Sequence, residues 1–215
     1  MRRFPVTFWV GAVLVGVVVT LGLIALVWTP YNPVQANPEQ RLEAFSATHW
    51  MGTDQYGRDM LSRIMDGARI SLLVAFGSVA LSALIGVPLG MWAGMSRGWI
   101  ETLIMRSNDL LLAFPALLLA IVFTAVFGAS MWIVVLAIGI AGIPGFARVA
   151  RVGTMQVMAQ DYILSARVSR VPGPVIAWRH ALPNIAAILI VQVSVALALA
   201  ILCLLYTSDA ADDTP

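Results

Sequence analysis

Four stretches without a single charged side chain, Phe4 to Pro38, Ile70 to Ser96, Leu110 to Ala147 and Ala181 to Ser208, constrain this chain more than any other feature. A membrane-spanning helix needs about 20 apolar residues, so the first, second and fourth stretches hold one span each. The third is too long for one span. It breaks at the small-residue turn Gly128-Ala129-Ser130, which gives two helices in a tight hairpin. The pattern predicts five spans, near Phe8 to Trp28, Ile70 to Met95, Leu110 to Phe127, Met131 to Phe146 and Ile185 to Leu205. Composition agrees: 60% of the residues are apolar and 11% charged, whereas a soluble domain is roughly 45–50% apolar. The polar surface is too small to cover a water-soluble globule, and the chain reads as an all-α integral membrane protein in contact with a lipid bilayer.

Arginines set the expected orientation, because basic residues are retained on the cytoplasmic side. With the N-terminus inside, the inner segments hold Arg2, Arg3, Arg97, Arg106, Arg148, Arg151, Arg167, Arg170 and Arg179, and the outer ones only Arg41, Arg58, Arg63 and Arg69. This divides the chain into a cytoplasmic tip with the first span (1–28), an external segment (29–69), a core (70–202) that includes a cytoplasmic loop (147–184), and a tail (203–215). The apolar run after Arg2-Arg3 exceeds a signal-peptide core, so it reads as a retained span. The tail segment CLLYTSDAAD, Cys203 to Asp212, looks like a translated sequencing-library adapter. It is expected to be non-native and to end a truncated gene.

The same residues disfavour one chemistry and exclude others. Ion-coupled carriers generally bury Asp, Glu, His or Lys within their spans; these five cores hold none, and Gln192 is their most polar mid-span side chain. ATP hydrolysis within the chain is excluded as well, since a P-loop needs its lysine and there is no lysine here. No residue reads as catalytic, and one cysteine supports neither a disulfide framework nor a cysteine-based metal site. Pro88, Pro115 and Pro144, in or at the ends of spans, permit kinks.

Two polar segments carry pattern. In the external one, Leu61, Ile64, Met65 and Ala68 have the spacing of one helical face, so a short amphipathic helix is expected before the second span, with Asp59 and Arg63 paired one turn apart. Gly52 and Gly57 bracket Thr53-Asp54-Gln55-Tyr56, a composition suited to a turn. In the cytoplasmic loop, Arg148 and Arg151 share a face and anchor the fourth span at the headgroups. Asp161 to Ser169 can form a helix in which Ser165 and Ala166 permit close approach. Pro172-Gly173-Pro174 stops it. A second short helix is expected over Val175 to Ala181, and Leu182-Pro183-Asn184 turns the chain back into the bilayer. Helix, rigid turn and helix suit a lever that presents side chains to a groove in a cytoplasmic partner; a merely basic juxtamembrane loop fits the spacing equally well.

The stretches GTDQYGRDMLSR, GARISLLVA, IGVPLGMWAG, LLAFPALLLAI, YILSARVSR and RHALPNI, in this order, resemble the permease subunits of bacterial ABC importers for dipeptides, oligopeptides and nickel, most closely the second permease of such systems. The likeness covers roughly Pro30 to Leu202. It implies a type I permease bundle in the bacterial inner membrane, with five helices present of an expected six. It also implies a second homologous permease, two cytoplasmic ATPase subunits that bind ATP and magnesium, and an external substrate-binding protein as partners, with no nucleic acid and no cofactor in this chain.

In that family the cytoplasmic loop carries the EAA motif, whose coupling helix enters a cleft of the ATPase. By position Leu164-Ser165-Ala166 matches the triplet and Leu182-Pro183 its closing pair. The resemblance thus assigns ATPase docking to Tyr162, Leu164, Ser165, Ala166, Arg167, Arg170, Leu182 and Pro183. Gly52, Thr53, Asp54, Gly57, Arg58 and Asp59 match the family's external signature and either face the binding protein or brace the gate. Arg170 departs from the pattern, because the family usually has glycine there, where positive φ or close approach is needed. The function implied is a translocation subunit for peptides, nickel or small solutes. A non-transporting scaffold and an ion-coupled carrier are the alternatives.

Overall fold

The computed structural model describes residues 6–96 and 98–212; the expectations for Arg2, Arg3, Arg97 and the end of the tail fall outside them. Among the described residues the regular structure is helical: α1 (Val6–Ile24), α2 (Met60–Met95), α3 (Trp99–Leu112), α4 (Ala116–Phe127), α5 (Met131–Met158), α6 (Asp161–Val168), α7 (Gly173–Ile176) and α8 (Leu182–Asp212). Four helices are long and apolar enough to cross a bilayer, and α3 and α4, bent by 77° at their break, reach that length and hydropathy only as a pair. The chain forms two compact units, Met1–Leu73 and Val74–Pro215.

Four expectations are corrected. The external amphipathic helix is not separate, because α2 runs unbroken from Met60 to Met95; nothing between Arg69 and Ile70 interrupts the backbone ladder. The third span is not a straight helix over Leu110 to Phe127. Pro115 has no N–H to donate and keeps Phe114 out of helical geometry, so the chain bends between α3 and α4. The fourth span does not stop at Phe146 but continues to Met158. Finally, the chain does not turn at Leu182-Pro183-Asn184. Pro183 cannot donate to the carbonyl four residues back, and the helix passes this point through a wider π turn over Ala177–Ala181, in which the Leu182 N–H donates to the Ala177 carbonyl. α8 then extends to Asp212, through most of the polar tail.

In the first unit, α1 meets the start of α2 at Gly22, where a Cβ would lie 3.3 Å from the Ala68 carbonyl. In the second, small residues let backbones touch. A Cβ on Gly86 would sit 2.6 Å from the Ile143 carbonyl oxygen and one on Gly94 2.8 Å from that of Arg151, while one on Gly90 would collide with that of Ala147. Glycine every fourth residue thus makes a groove on α2 that the α5 backbone occupies. Ser82 lies in the same interface, with its hydroxyl 2.7 Å from the Gly139 carbonyl. Met91, Ala150, Val157, Ile163, Ala177 and Ile185 form a buried cluster that joins α2, α5, α6, the π turn and α8.

Candidate functional site

The polar segment between α5 and α8 is a braced elbow. Ile163 roots α6, fully buried in the cluster just described. Its neighbours point the other way: Tyr162, Leu164, Ser165, Arg167, Val168 and Arg170 are exposed, and Val168 has 84% of its surface free. Ala166 lies half-buried against the cluster, on the inner side of the helix. Of the closing pair, Leu182 is half-buried and Pro183 exposed. Asn184 ties the two ends of the elbow, because its Nδ2 donates to the His180 carbonyl at 2.7 Å and to the Tyr162 hydroxyl at 3.3 Å.

Arg170 closes α6. It takes φ of +55°, its N–H donates to the Arg167 carbonyl at 2.9 Å, and the Val171 N–H donates to the Ala166 carbonyl at 3.1 Å. This pair of bonds is the Schellman stop, whose left-handed residue is usually glycine. The positive φ expected of a glycine is therefore present, with arginine holding it.

Arg148 and Arg151 each hold a carboxylate on α3. Arg148 donates to Asp109 Oδ1 at 2.6 Å and Arg151 Nε to Glu101 Oε1 at 2.8 Å. Glu101 and Asp109 lie two turns apart on α3 and meet arginines one turn apart on α5, so the pairs fasten α3 to the helix that leads into the elbow. Sequence spacing hides such partners, since they lie far apart in the chain. On the same unit, an apolar cavity of about 1130 Å³ opens between α2, α5 and α8, lined by Pro88, Met91, Trp92, Phe146, Trp178 and Leu182 among others. The last two of these belong to the elbow.

The residues that the resemblance assigned to an external signature form a second site. Gly52 and Gly57 have φ of +70° and +74°, and a Cβ on Gly57 would collide with the Asn37 carbonyl. Both glycines are thus demanded by the turn. Thr53 pairs with Asp59 in an isolated antiparallel bridge, and its hydroxyl accepts from the Glu43 N–H at 2.9 Å and donates to the Gln40 carbonyl. Asp54 is the hub of the turn. Its Oδ1 accepts from the Tyr56 and Arg58 N–H groups at 2.8 and 2.9 Å, and its Oδ2 from Arg58 and Arg63 at 2.8 and 2.6 Å. Burial raises the Asp54 carboxyl pKa, but those N–H bonds and the Arg58 guanidinium outweigh it and hold the group down at about 2.

The expected Asp59–Arg63 pair does not form, because Asp54 takes Arg63. Asp59 instead caps α2: its Oδ2 accepts from the Ser62 N–H and hydroxyl at 2.8 and 2.7 Å, and its Oδ1 meets His49 Nδ1 at 3.0 Å. Burial acts to raise this carboxyl pKa as well, and the Ser62 and His49 bonds bring it below the ordinary value. His49 and Ser62 escaped sequence reasoning; only the cap spacing from Asp59 to Ser62 signalled either. The six signature residues are thus brought together as one self-bonded turn at the foot of α2.

Comparison with known proteins fits this arrangement. The family described as the binding-protein-dependent transport system inner membrane component matches residues 86–208, which takes in the glycine groove, α3 to α7 and nearly all of α8. The chain is 37% identical over 90% of its length to the dipeptide transport system permease protein DppC of Alkalihalophilus pseudofirmus, covering 64% of that protein. It is 39% identical over 89% of its length to the glutathione transport system permease protein GsiD of Pectobacterium atrosepticum, covering 65%. To the di/tripeptide transport system permease protein DppC of Pseudomonas aeruginosa it is 36% identical over 89% of its length, again covering 65%. The chain therefore spans a little under two thirds of these relatives. Apolar helices long enough to cross a bilayer, an elbow after α5 and a family match over more than half of its residues lead to one conclusion: this chain belongs to the binding-protein-dependent transport system inner membrane components.

Proposed function

We propose that the chain is a membrane-spanning subunit of an ATP-driven importer for peptides, with its N-terminus and elbow on the cytoplasmic side. One observation carries this reading. The elbow is rooted from within by Ile163 while it presents Tyr162, Leu164 and Val168 outward, and a water-facing loop has no need of an outward apolar set on a rigid base. A groove in a cytoplasmic ATPase suits it. The excess of arginine on the elbow side supports the orientation.

Two ATPase subunits, which bind ATP and magnesium, close on nucleotide and push the elbows of this chain and of a second permease. Because Ile163, Trp178 and Leu182 connect the elbow to the α2–α5–α8 cluster and the apolar cavity, displacement of the elbow repacks the walls of that cavity. Nucleotide state thereby biases the inward- and outward-facing conformations. An external binding protein delivers the substrate. Peptides are the favoured class because relatives named for dipeptides, di/tripeptides and glutathione match; nickel is the second. Tyr162, Leu164, Ser165, Arg167, Arg170 and the exposed Pro183 dock, while the half-buried Ala166 and Leu182 shape the elbow from behind.

The test is uptake of labelled dipeptide by the full complex in proteoliposomes. Uptake is expected to require ATP inside the vesicle or at the elbow face, and Leu164→Glu is expected to lower uptake at least about tenfold by placing a charge in an apolar contact. Uptake that continues without nucleotide, driven by an ion gradient, would contradict the proposal.

A further inference from the structure

We propose that the cleft between α3 and α5 binds the phosphate of an anionic phospholipid headgroup. The cleft has a volume of about 580 Å³ and carries Glu101, Arg106, Asp109, Arg148 and Arg151 in its lining. Its formal charge is three guanidinium groups against two carboxylates, a surplus of one positive charge that matches a singly charged phosphodiester. Arg106 carries no ion pair among the described residues and is exposed. Arg148 commits one N–H group to Asp109 and Arg151 two to Glu101, so most of the five donors on each guanidinium are unused. The two carboxylates hold the Arg148 and Arg151 side chains beside the cleft, which Arg106 also lines.

Depth and surroundings favour a lipid over a dissolved anion. Arg148 and Arg151 lie about 26 and 30 Å along α5 from Met131, and the hydrocarbon layer is about 30 Å thick. Counted from the Ser130 turn at one face, both guanidinium groups reach headgroup level at the other. The flanks of the cleft are apolar and open: Trp99, Leu103 and Leu110 on α3 and Val152 on α5 are all exposed. Tryptophan beside basic residues is the composition of a membrane interface. A headgroup phosphate seated among the arginines leaves its acyl chains against these residues, a complement that free phosphate lacks.

The test uses the chain in nanodiscs of phosphatidylcholine containing a minority of phosphatidylglycerol, followed by native mass spectrometry of the lipid it retains. Arg106 makes no ion pair among the described residues, so Arg106→Gln leaves the α3–α5 pairs intact, and unchanged thermal melting confirms folding. The expected result is enrichment of phosphatidylglycerol on the parent chain and roughly tenfold less on Arg106→Gln, with Arg41→Gln, in the external segment, retaining it. Equal retention by Arg106→Gln and the parent overturns the proposal. A second arm adds inorganic phosphate in pure phosphatidylcholine. Phosphate bound there in an Arg106-dependent way, and able to displace phosphatidylglycerol at equal concentration, would assign the cleft to a free anion and overturn the lipid reading.

Discussion

Arg170 holds a conformation that its side chain disfavours. A left-handed residue other than glycine costs roughly 1–2 kcal/mol, and Arg170 takes this cost at φ +55° because the Schellman bonds at Arg167 and Ala166 require it. Arg170→Gly is therefore expected to stabilise the elbow by about 1 kcal/mol, read as slower local hydrogen exchange across 161–171. Faster exchange would show that the arginine side chain contributes more than its backbone costs. The departure from the family glycine was visible in the sequence, as was the conformation the position needs. Whether the chain would keep that conformation was not, since it depends on Ile163 and the cluster beneath it.

Asp54 gives a prediction with a sign. Its carboxyl sits at about 2 in the folded turn, below its ordinary 3.8. A depressed acid stabilises the fold above the ordinary value and loses that contribution as pH falls through the folded one. The turn around Asp54 is thus expected to keep its full stability above pH 3.8 and to lose the Asp54 contribution between about 3.8 and about 2. A carbon-13 carboxyl titration should place Asp54 near the lower figure, and a midpoint at or above the ordinary value would show that the N–H groups of Tyr56 and Arg58 do not bind it. Gly52, Gly57 and their turn were legible because only glycine suits such backbone angles. The Asp54–Arg63 pair was not, because helical spacing offered Asp59 as an equally good partner and only the fold of the turn decides between them.

At the scale of elements, the α2–α5 contact is the most demanding packing in the second unit. Gly90 leaves no room for a methyl group beside the Ala147 carbonyl, and a backbone cannot yield as a flexible side chain can. Gly90→Ala is expected to destabilise the bundle by about 1–3 kcal/mol, whereas Gly98→Ala, where a Cβ meets open space, carries only the cost of its positive φ. Thermal unfolding in detergent compares the two directly, and a Gly90→Ala chain that melts with the parent would remove the close approach from the account. Hydropathy located the four long apolar helices, because lipid demands long apolar runs, but it placed several ends wrongly. α2 and α5 continue as polar helices beyond the hydrocarbon, where composition no longer distinguishes helix from loop, and the break before α4 turns on Pro115, whose effect depends on whether neighbours straighten or bend the chain.

At the scale of the whole molecule, the second unit joins an apolar cavity, a fastened pair of helices and an exposed elbow through one buried cluster. The family and the four long apolar helices could be read from residue order alone. The inward face of Ala166, the root at Ile163 and the α3–α5 ion pairs could not, since each depends on contacts between segments distant in sequence. The central claim is that the outward face of α6 seats in a nucleotide-binding partner. It is tested most directly by disulfide cross-linking from Leu164→Cys, in a Cys203→Ser background, to single cysteines in the ATPase groove of the assembled complex. The account predicts an efficient cross-link whose yield changes when ATP is added, and no labelling of that cysteine by membrane-impermeant thiol reagents applied from outside intact cells. Labelling from outside, or absence of any cross-link in a complex that still transports, would contradict it.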